Sequence, residues 1–390
     1  MSPHTLPGTP VSHGPMSDGT FSHGDPLQNE RVRALDPLGA DQALATLPEL
    51  NGRADVPALA AMLRELLPHE RDLAGYSTDE CLAVMRDLGM LLGSIKRHDE
   101  TEPAGLVPEV VPVLRELGRR TGMVPRDTVH HYTTWNPTGA RQRMYTGDPQ
   151  ESCLQESVRM VFPRLRSGLE LCDVLAHTDP TDGTFATVLD ELTDLLGAMV
   201  DSIDMVVQEV SPAFFARVLR PYYENVTLDG RSYLGPAAAQ VPLWLIDLAV
   251  WASDHSEPGY QEFLAESIPY SLPRWRELYA SWLRGPSLVG RLVEAFGDDP
   301  GERERSAPQL LESAEALLRL LRVIMVFRGR HLGIARKAYQ EDVRLFPVGS
   351  GGASVELLKQ ILDLTRDNAN LTRGSAHATR DAGQNAKAAS

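Results

Sequence analysis

The sequence predicts an all-α protein, a large helical bundle with at most one short β-hairpin. Three observations carry this. Apolar residues recur at steps of three and four over long windows, most regularly at Val188, Leu189, Leu192, Leu195, Leu196, Met199, Ile203, Val206 and Val207, the period of one buried helix face. Ser77-Thr-Asp-Glu80 is a capping box, in which a hydroxyl and a carboxylate satisfy each other's backbone amides at a helix start. One segment reads as strand: Asn225-Val-Thr-Leu-Asp229-Gly230-Arg-Ser-Tyr-Leu234 sets an Asp-Gly turn between β-favouring residues.

In chain order, residues 1–30 are rich in Pro, Gly, Ser and His and poor in aliphatics. Such a segment buries too little apolar surface to offset its ordering entropy and is expected to be disordered. Asp55–Leu67 carries a helical stripe at Val56, Leu59, Met62, Leu63 and Leu66. The capping box opens a helix to about Ile95, and Leu106–Leu117 follows, with Pro108 and Pro112 limiting its start. Ser152–Leu175 reads as a long helix kinked at Pro163, and Thr184–Val210 as the most regular helix. Further helices are expected over Ala237–Ala252, Pro258–Glu266, Pro273–Leu283, Pro308 to about Tyr339, and Ser354–Thr365. Residues 369–390 lack periodicity and read as a disordered tail. A single domain over 31–368 is expected, with a smaller N-terminal part to about residue 125.

Composition narrows the function classes. With 390 residues, 42% of them hydrophobic, the chain is long enough for a substantial core. A net charge of -15 without a long basic run argues against nucleic acid and anionic membrane surfaces. Cys81, Cys153 and Cys172 are odd in number and far apart, which fits free buried thiols in a reducing compartment. No signal peptide pattern opens the chain and no apolar run reaches the ~18 residues of a membrane span. A cytoplasmic protein is the expectation.

Two neighbouring segments carry chemistry. Leu320, Ile324, Phe327, His331, Ile334, Ala335 and Ala338 share one helix face, so His331 sits within an apolar stripe. A neutral imidazole there suits an axial ligand of haem iron, with Arg328, Arg330 or Arg336 at the rim pairing propionates. A core histidine bonded to a backbone carbonyl fits the same pattern. Val348-Gly-Ser-Gly-Gly-Ala-Ser354 follows, a glycine-rich turn before a helix start. It offers backbone N–H groups and the Ser350 hydroxyl to an anion, or serves as an ordinary helix entry. His130 and His131 are candidate catalytic residues of a distal pocket, with structural roles as the alternative. Arg141 and Arg143 are candidate carboxylate partners, with salt bridges as theirs.

His331 and the Gly349-Ser-Gly-Gly352 turn resemble the proximal-histidine segment and glycine turn of the indoleamine and tryptophan 2,3-dioxygenases. An ordered series of segments is more closely similar to the monodechloroaminopyrrolnitrin synthase family of that superfamily. The series is Asn51-Gly-Arg-Ala-Asp-Val-Pro, Met85-Arg-Asp-Leu-Gly, Gly93-Ser-Ile-Lys-Arg-His98, Trp135-Asn-Pro-Thr138, Tyr145-Thr-Gly147, Glu156-Ser-Val-Arg159, Ser232-Tyr-Leu-Gly-Pro236 and the His331 region. The resemblance spans roughly residues 36–366 and implies a helical bundle of the indoleamine 2,3-dioxygenase type. It implies a b-type haem on His331 and an aromatic amino-acid substrate, L-tryptophan or a chlorinated tryptophan. The implied outcome is oxidative rearrangement and decarboxylation to an aminophenylpyrrole, with dioxygen or peroxide as co-substrate. It implies substrate contacts at Tyr339, Ser350 and Gly351. Gly235-Pro-Ala-Ala-Ala-Gln240 resembles a pocket-lining segment, so Tyr233 is a further substrate candidate, with a packed hairpin aromatic as the alternative. Ala335 stands where a covalent-haem relative carries cysteine, which makes the haem non-covalent. Hydroxylation or dioxygenation of tryptophan or tyrosine, and a non-catalytic haem-binding protein, are the competing readings. An electron donor is left open, and a monomer or homodimer is expected.

Overall fold

The computed structural model describes residues 25–99, 101–236, 240–297, 308–341 and 354–388, with side chains as far as Ala376. The described residues are predominantly helical, and their only sheet is two-stranded. Five long helices organise the chain: α1 (Thr78–His98), α2 (Pro149–His177), α3 (Gly183–Glu209), α4 (Gln309–Glu341) and α5 (Val355–Ala388). Shorter helices fill the spaces between them.

Helix α1 starts at the capping box, where Glu80 N donates to Ser77 Oγ at 3.2 Å and Ser77 N donates to Glu80 Oε2 at 2.7 Å. It is buried from Cys81 to Ile95 on every face, because the N-terminal helices wrap it. Gly89 and Gly93 allow that enclosure. A Cβ at Gly93 would lie 2.5 Å from Tyr145 Oη and 2.8 Å from the Tyr222 carbonyl. Helices α2, α3, α4 and α5 pack in succession along their lengths and build a second, larger core. Pro163 lies inside α2, which runs on through the expected kink to His177.

The hairpin forms where the Asp-Gly pair predicts it. Val226 pairs with Tyr233 and Leu228 with Arg231, leaving Asp229 and Gly230 as a two-residue turn with φ of 51° and 74°. Both left-handed values are those of a type I′ turn.

Two terminal boundaries differ from expectation. Residues 26–34 form a helix capped by Asp25, which buries Gln28, Asn29 and Val32. Trp135 Nε1 donates to Asn29 Oδ1 at 2.9 Å, a partner that composition does not reveal. At the other end α5 passes residue 369, and Ala369, Thr372 and Ala376 are buried. Their spacing of three and four continues the helix face, but small residues and a threonine give it no hydropathy signal.

The segment predicted as one helix over Ala237–Ala252 is shorter and composite. An α-helical Leu243–Asp247 passes into a π-helical turn at Leu248–Ala252. A second π turn, at Phe214–Leu219, has no counterpart among the predicted elements. No helix among the described residues is long and apolar enough to cross a membrane.

Candidate functional site

Helix α4 turns one face into a cavity of about 240 Å³. Phe327, Arg328, His331, Ile334, Ala335 and Ala338 line it, which is the three-and-four spacing of the sequence stripe. Leu154, Val158 and Val161 of α2, Met199 and Ile203 of α3, and Leu358 and Ile361 of α5 add apolar walls. Phe215 and Arg220 reach it from the π turn and its exit, and Leu243 and Trp244 from just before the other. A π turn inserts an extra residue and displaces a helix face, a device common beside binding sites. Ala335 and Ala338, one and two turns beyond His331, leave open the space beside the ring.

His331 is surrounded by protein and partly exposed through the cavity that it lines. Burial, with the Arg328 guanidinium second, lowers its pKa to about 4, so the imidazole is neutral near neutral pH. Its ring stacks on Phe327 with centroids 5.7 Å apart. No hydrogen bond ties its ring to another of the described residues. A neutral imidazole facing an apolar cavity is a donor set that fits haem iron.

The charges around the cavity are arranged differently from the sequence expectation. Arg328 is buried and bonds Asp247 and Thr365. Asp247 also accepts from Tyr260 Oη at 2.5 Å and Trp251 Nε1 at 3.1 Å. Arg328 therefore lines the wall already paired with a carboxylate rather than offered at a rim. Arg330 pairs with Asp204 at the surface, and Arg336 is exposed. Arg220, 7% exposed, is the other cavity arginine, 3.7 Å from the carboxylate of the exposed Glu224.

Of the candidate site residues singled out in the sequence, His331 and Arg328 line this cavity among the described residues, with the apolar residues of the same stripe. His130 is packed among Phe162, Trp135 and Trp275, with centroids 4.4, 5.2 and 5.4 Å away. His131 Nδ1 accepts from the backbone N–H of Thr128 at 3.0 Å. That bond fixes the proton on Nε2, and the ring meets Trp135 edge to face with centroids 4.7 Å apart. Burial holds His131 neutral by pushing its pKa well below the usual value. Both histidines are thus built into the core. Tyr233 packs in the hairpin core with the Arg231 guanidinium 5.0 Å from its ring centre. Tyr339 lies on α4 at 37% exposure, off the cavity wall. Ser350 and Gly351 lie outside the described residues.

Arg141 and Arg143 are engaged elsewhere as well. Arg141 Nε bonds Asp41 at 2.6 Å, and Arg143 bonds Asp41 at 2.6 Å and Asp87 at 3.0 Å. The Gly235–Gln240 segment borders the site through its end: Gln240 Nε2 donates to the Gly235 carbonyl, Gln240 Oε1 accepts from Val129 N, and the next residue, Val241, lines the cavity. Phe215, Arg220 and Trp244 were missed in the sequence. Phe215 sits in a π turn, Arg220 in the 3-10 turn that follows it and Trp244 in a five-residue helix, settings too short or too irregular for a 3.6 period to mark lining residues.

The fold and site define an all-α protein with a neutral histidine presented to an apolar, ligand-sized cavity between long helices. The chain belongs to the family described as monodechloroaminopyrrolnitrin synthase PrnB, whose family model matches residues 28–388, nearly the whole chain. It is a member of an enzyme family.

Proposed function

We propose that this protein is a haem-dependent oxygenase of an aromatic amino acid. L-tryptophan or a ring-chlorinated tryptophan is the substrate, and rearrangement with decarboxylation to an aminophenylpyrrole is the outcome. The observation that supports it most directly is the neutral His331 on the wall of an apolar cavity, in a member of this family. His331 would hold a non-covalent haem b, since Ala335 supplies no thiol for attachment. When bound, the haem supplies the redox chemistry with dioxygen or peroxide.

The chain's own part is binding and exclusion of water. Phe215, Trp244, Phe263 and Phe327 give the cavity aromatic walls suited to an indole. Arg220 brings a cation to the same cavity, where a substrate carboxylate can bind it bidentately. The substrate contacts proposed for Tyr339, Ser350 and Gly351 rest on the resemblance.

An absorption spectrum after haem supplementation tests the reading. A Soret band in the wild type, lost in His331→Ala, is expected; a full band in the variant moves the ligand elsewhere. Aromatic amino acids should perturb that band. Mass spectrometry of turnover then separates loss of carbon dioxide from gain of one or two oxygens. Perturbation by none of them leaves a haem-binding protein without turnover.

A further inference from the structure

Two of the residues that line the main cavity carry a formal charge, Arg220 and Arg328, and no carboxylate lines it among the described residues. Arg328 stands about one turn before His331 on α4 and shares its face. Its charge reaches the imidazole: after burial, the guanidinium is the second cause of the low His331 pKa. The anion that offsets it is Asp247, at the end of the short helix Leu243–Asp247 and outside the cavity lining.

Asp247 is fully buried, and its contacts fix the guanidinium. Its Oδ2 accepts from Arg328 Nη2 and from Tyr260 Oη, the latter at 2.5 Å, and its Oδ1 accepts from Trp251 Nε1 at 3.1 Å. Arg328 Nη1 donates to Thr365 Oγ1 on α5, which donates in turn to the Ile361 carbonyl at 2.7 Å. The guanidinium carbon lies 5.9 Å from the Trp251 ring centre. Apolar side chains of similar volume would fill such a wall at least as stably as a buried ion pair. Stability alone therefore gives no reason for charges at this point of an apolar wall.

We propose that Arg328 and Asp247 set the reduction potential of the iron that His331 holds, Arg328 raising it and Asp247 lowering it. This rests on the reading that His331 is the haem ligand. The ferric centre carries one more positive charge than the ferrous centre. A buried cation one turn from the ligand disfavours the ferric form, and the carboxylate behind it offsets part of that effect. Both charges are buried, so salt and water screen them little. Asp247 acts through its charge and by holding the guanidinium, which makes it a positioning residue. The balance fixes the resting valence, and ferrous haem is the form that binds dioxygen.

Midpoint potentials of the haem-loaded protein, read from the Soret band against redox mediators, test this. Asp247→Asn should raise the ferrous-to-ferric ratio at a given poise about tenfold, a shift of about 59 mV for one electron. Arg328→Met should lower that ratio. The double variant, Asp247→Asn with Arg328→Met, restores the charge balance and should bring the ratio back to near the wild-type value. Arg330→Met removes the same charge from the exposed pair with Asp204 and should leave the potential unchanged. If Asp247→Asn does not fold, the rise from Arg328→Met to the double variant reads the same effect. A loss of packing alone would not move the two single variants in opposite directions. Equal potentials throughout, or single variants that shift the same way, overturn the tuning and leave the haem on His331. A wild type without a Soret band after haem supplementation overturns the reading of His331 instead, and the tuning with it.

Discussion

In the N-terminal half, Asp87 is fully buried and held by Arg86 at 2.8 Å and Arg143 at 3.0 Å, with Arg86 also bonding the Val32, Leu35 and Trp135 carbonyls. In the C-terminal half, His331 lines a cavity, neutral and without a hydrogen-bond partner among the described residues. Buried ionic groups with every valence used tie distant segments into one arrangement. An imidazole on a cavity wall, with no bond to another described residue, keeps a lone pair for something else. The Asp87 cluster is finished by the chain's own groups, whereas the His331 wall leaves a lone pair uncommitted among the described residues.

The largest effect should come from breaking the finished region. Asp87→Leu leaves Arg86 and Arg143 buried without their shared carboxylate, and about 3–5 kcal/mol of stability should be lost in urea unfolding. A loss below about 1 kcal/mol would mean that the two arginines find other partners, and the contrast between the regions would weaken.

His331→Leu should act in the opposite sense at low pH. The folded pKa of about 4 lies below the 6.5 of an ordinary imidazole. Between those values the unfolded chain binds the proton and the folded chain does not, so stability rises with pH across the window. The favourable contribution is full above the unfolded pKa and is lost as pH falls toward the folded one, a change of about 3 kcal/mol in all. In His331→Leu that change disappears. Urea midpoints of wild type and variant should converge or hold level near neutral pH, and the variant should be the more stable near pH ~4. His131, also held neutral by burial, titrates in both proteins and cancels in the comparison. Parallel pH profiles would show that His331 is bonded or charged in the folded state.

The segments that carried the family resemblance belong mostly to the finished region. Asn51 Nδ2 donates to Ser94 Oγ and to the Tyr145 carbonyl, Asn136 Nδ2 to the Tyr132 and Arg143 carbonyls, and Arg86 and Asp87 form the buried ion pair. Helix periods, the capping box and the hairpin were legible because each is written in adjacent residues. His331 was legible because its own helix face frames it. The cavity's other walls were not, since they assemble from α2, α3, α5, the π turn at Phe214–Leu219 and the short helices that carry Trp244 and Phe263, far apart in sequence. The arginines' partners were hidden for a related reason: salt bridges were one reading of Arg143, but sequence shows a cation and not the carboxylate folded against it, as Asp87 and Asp41 are against Arg143 and Asp247 is against Arg328. Gly93 tests how tight the finished region is. In Gly93→Ala the new methyl meets Tyr145 Oη and the Tyr222 carbonyl, and about 1–3 kcal/mol should be lost.

The smallest effect sharpens the contrast on a single helix. Arg328 and Arg330 stand two residues apart on α4, and each pairs with an aspartate. The Arg328 pair is buried, while Arg330 and Asp204 are each 41% exposed. Water screens the outer pair, so Arg330→Ala should change stability by about 0.5 kcal/mol or less. It should leave haem retention by the supplemented protein unchanged, because Arg330 is off the cavity wall. Arg328→Ala strands Asp247 inside the core and should cost several times more. Equal losses in the two variants would show that burial of the pair is not what separates them. A weakened Soret band in Arg330→Ala would bring that arginine back to the rim of the site.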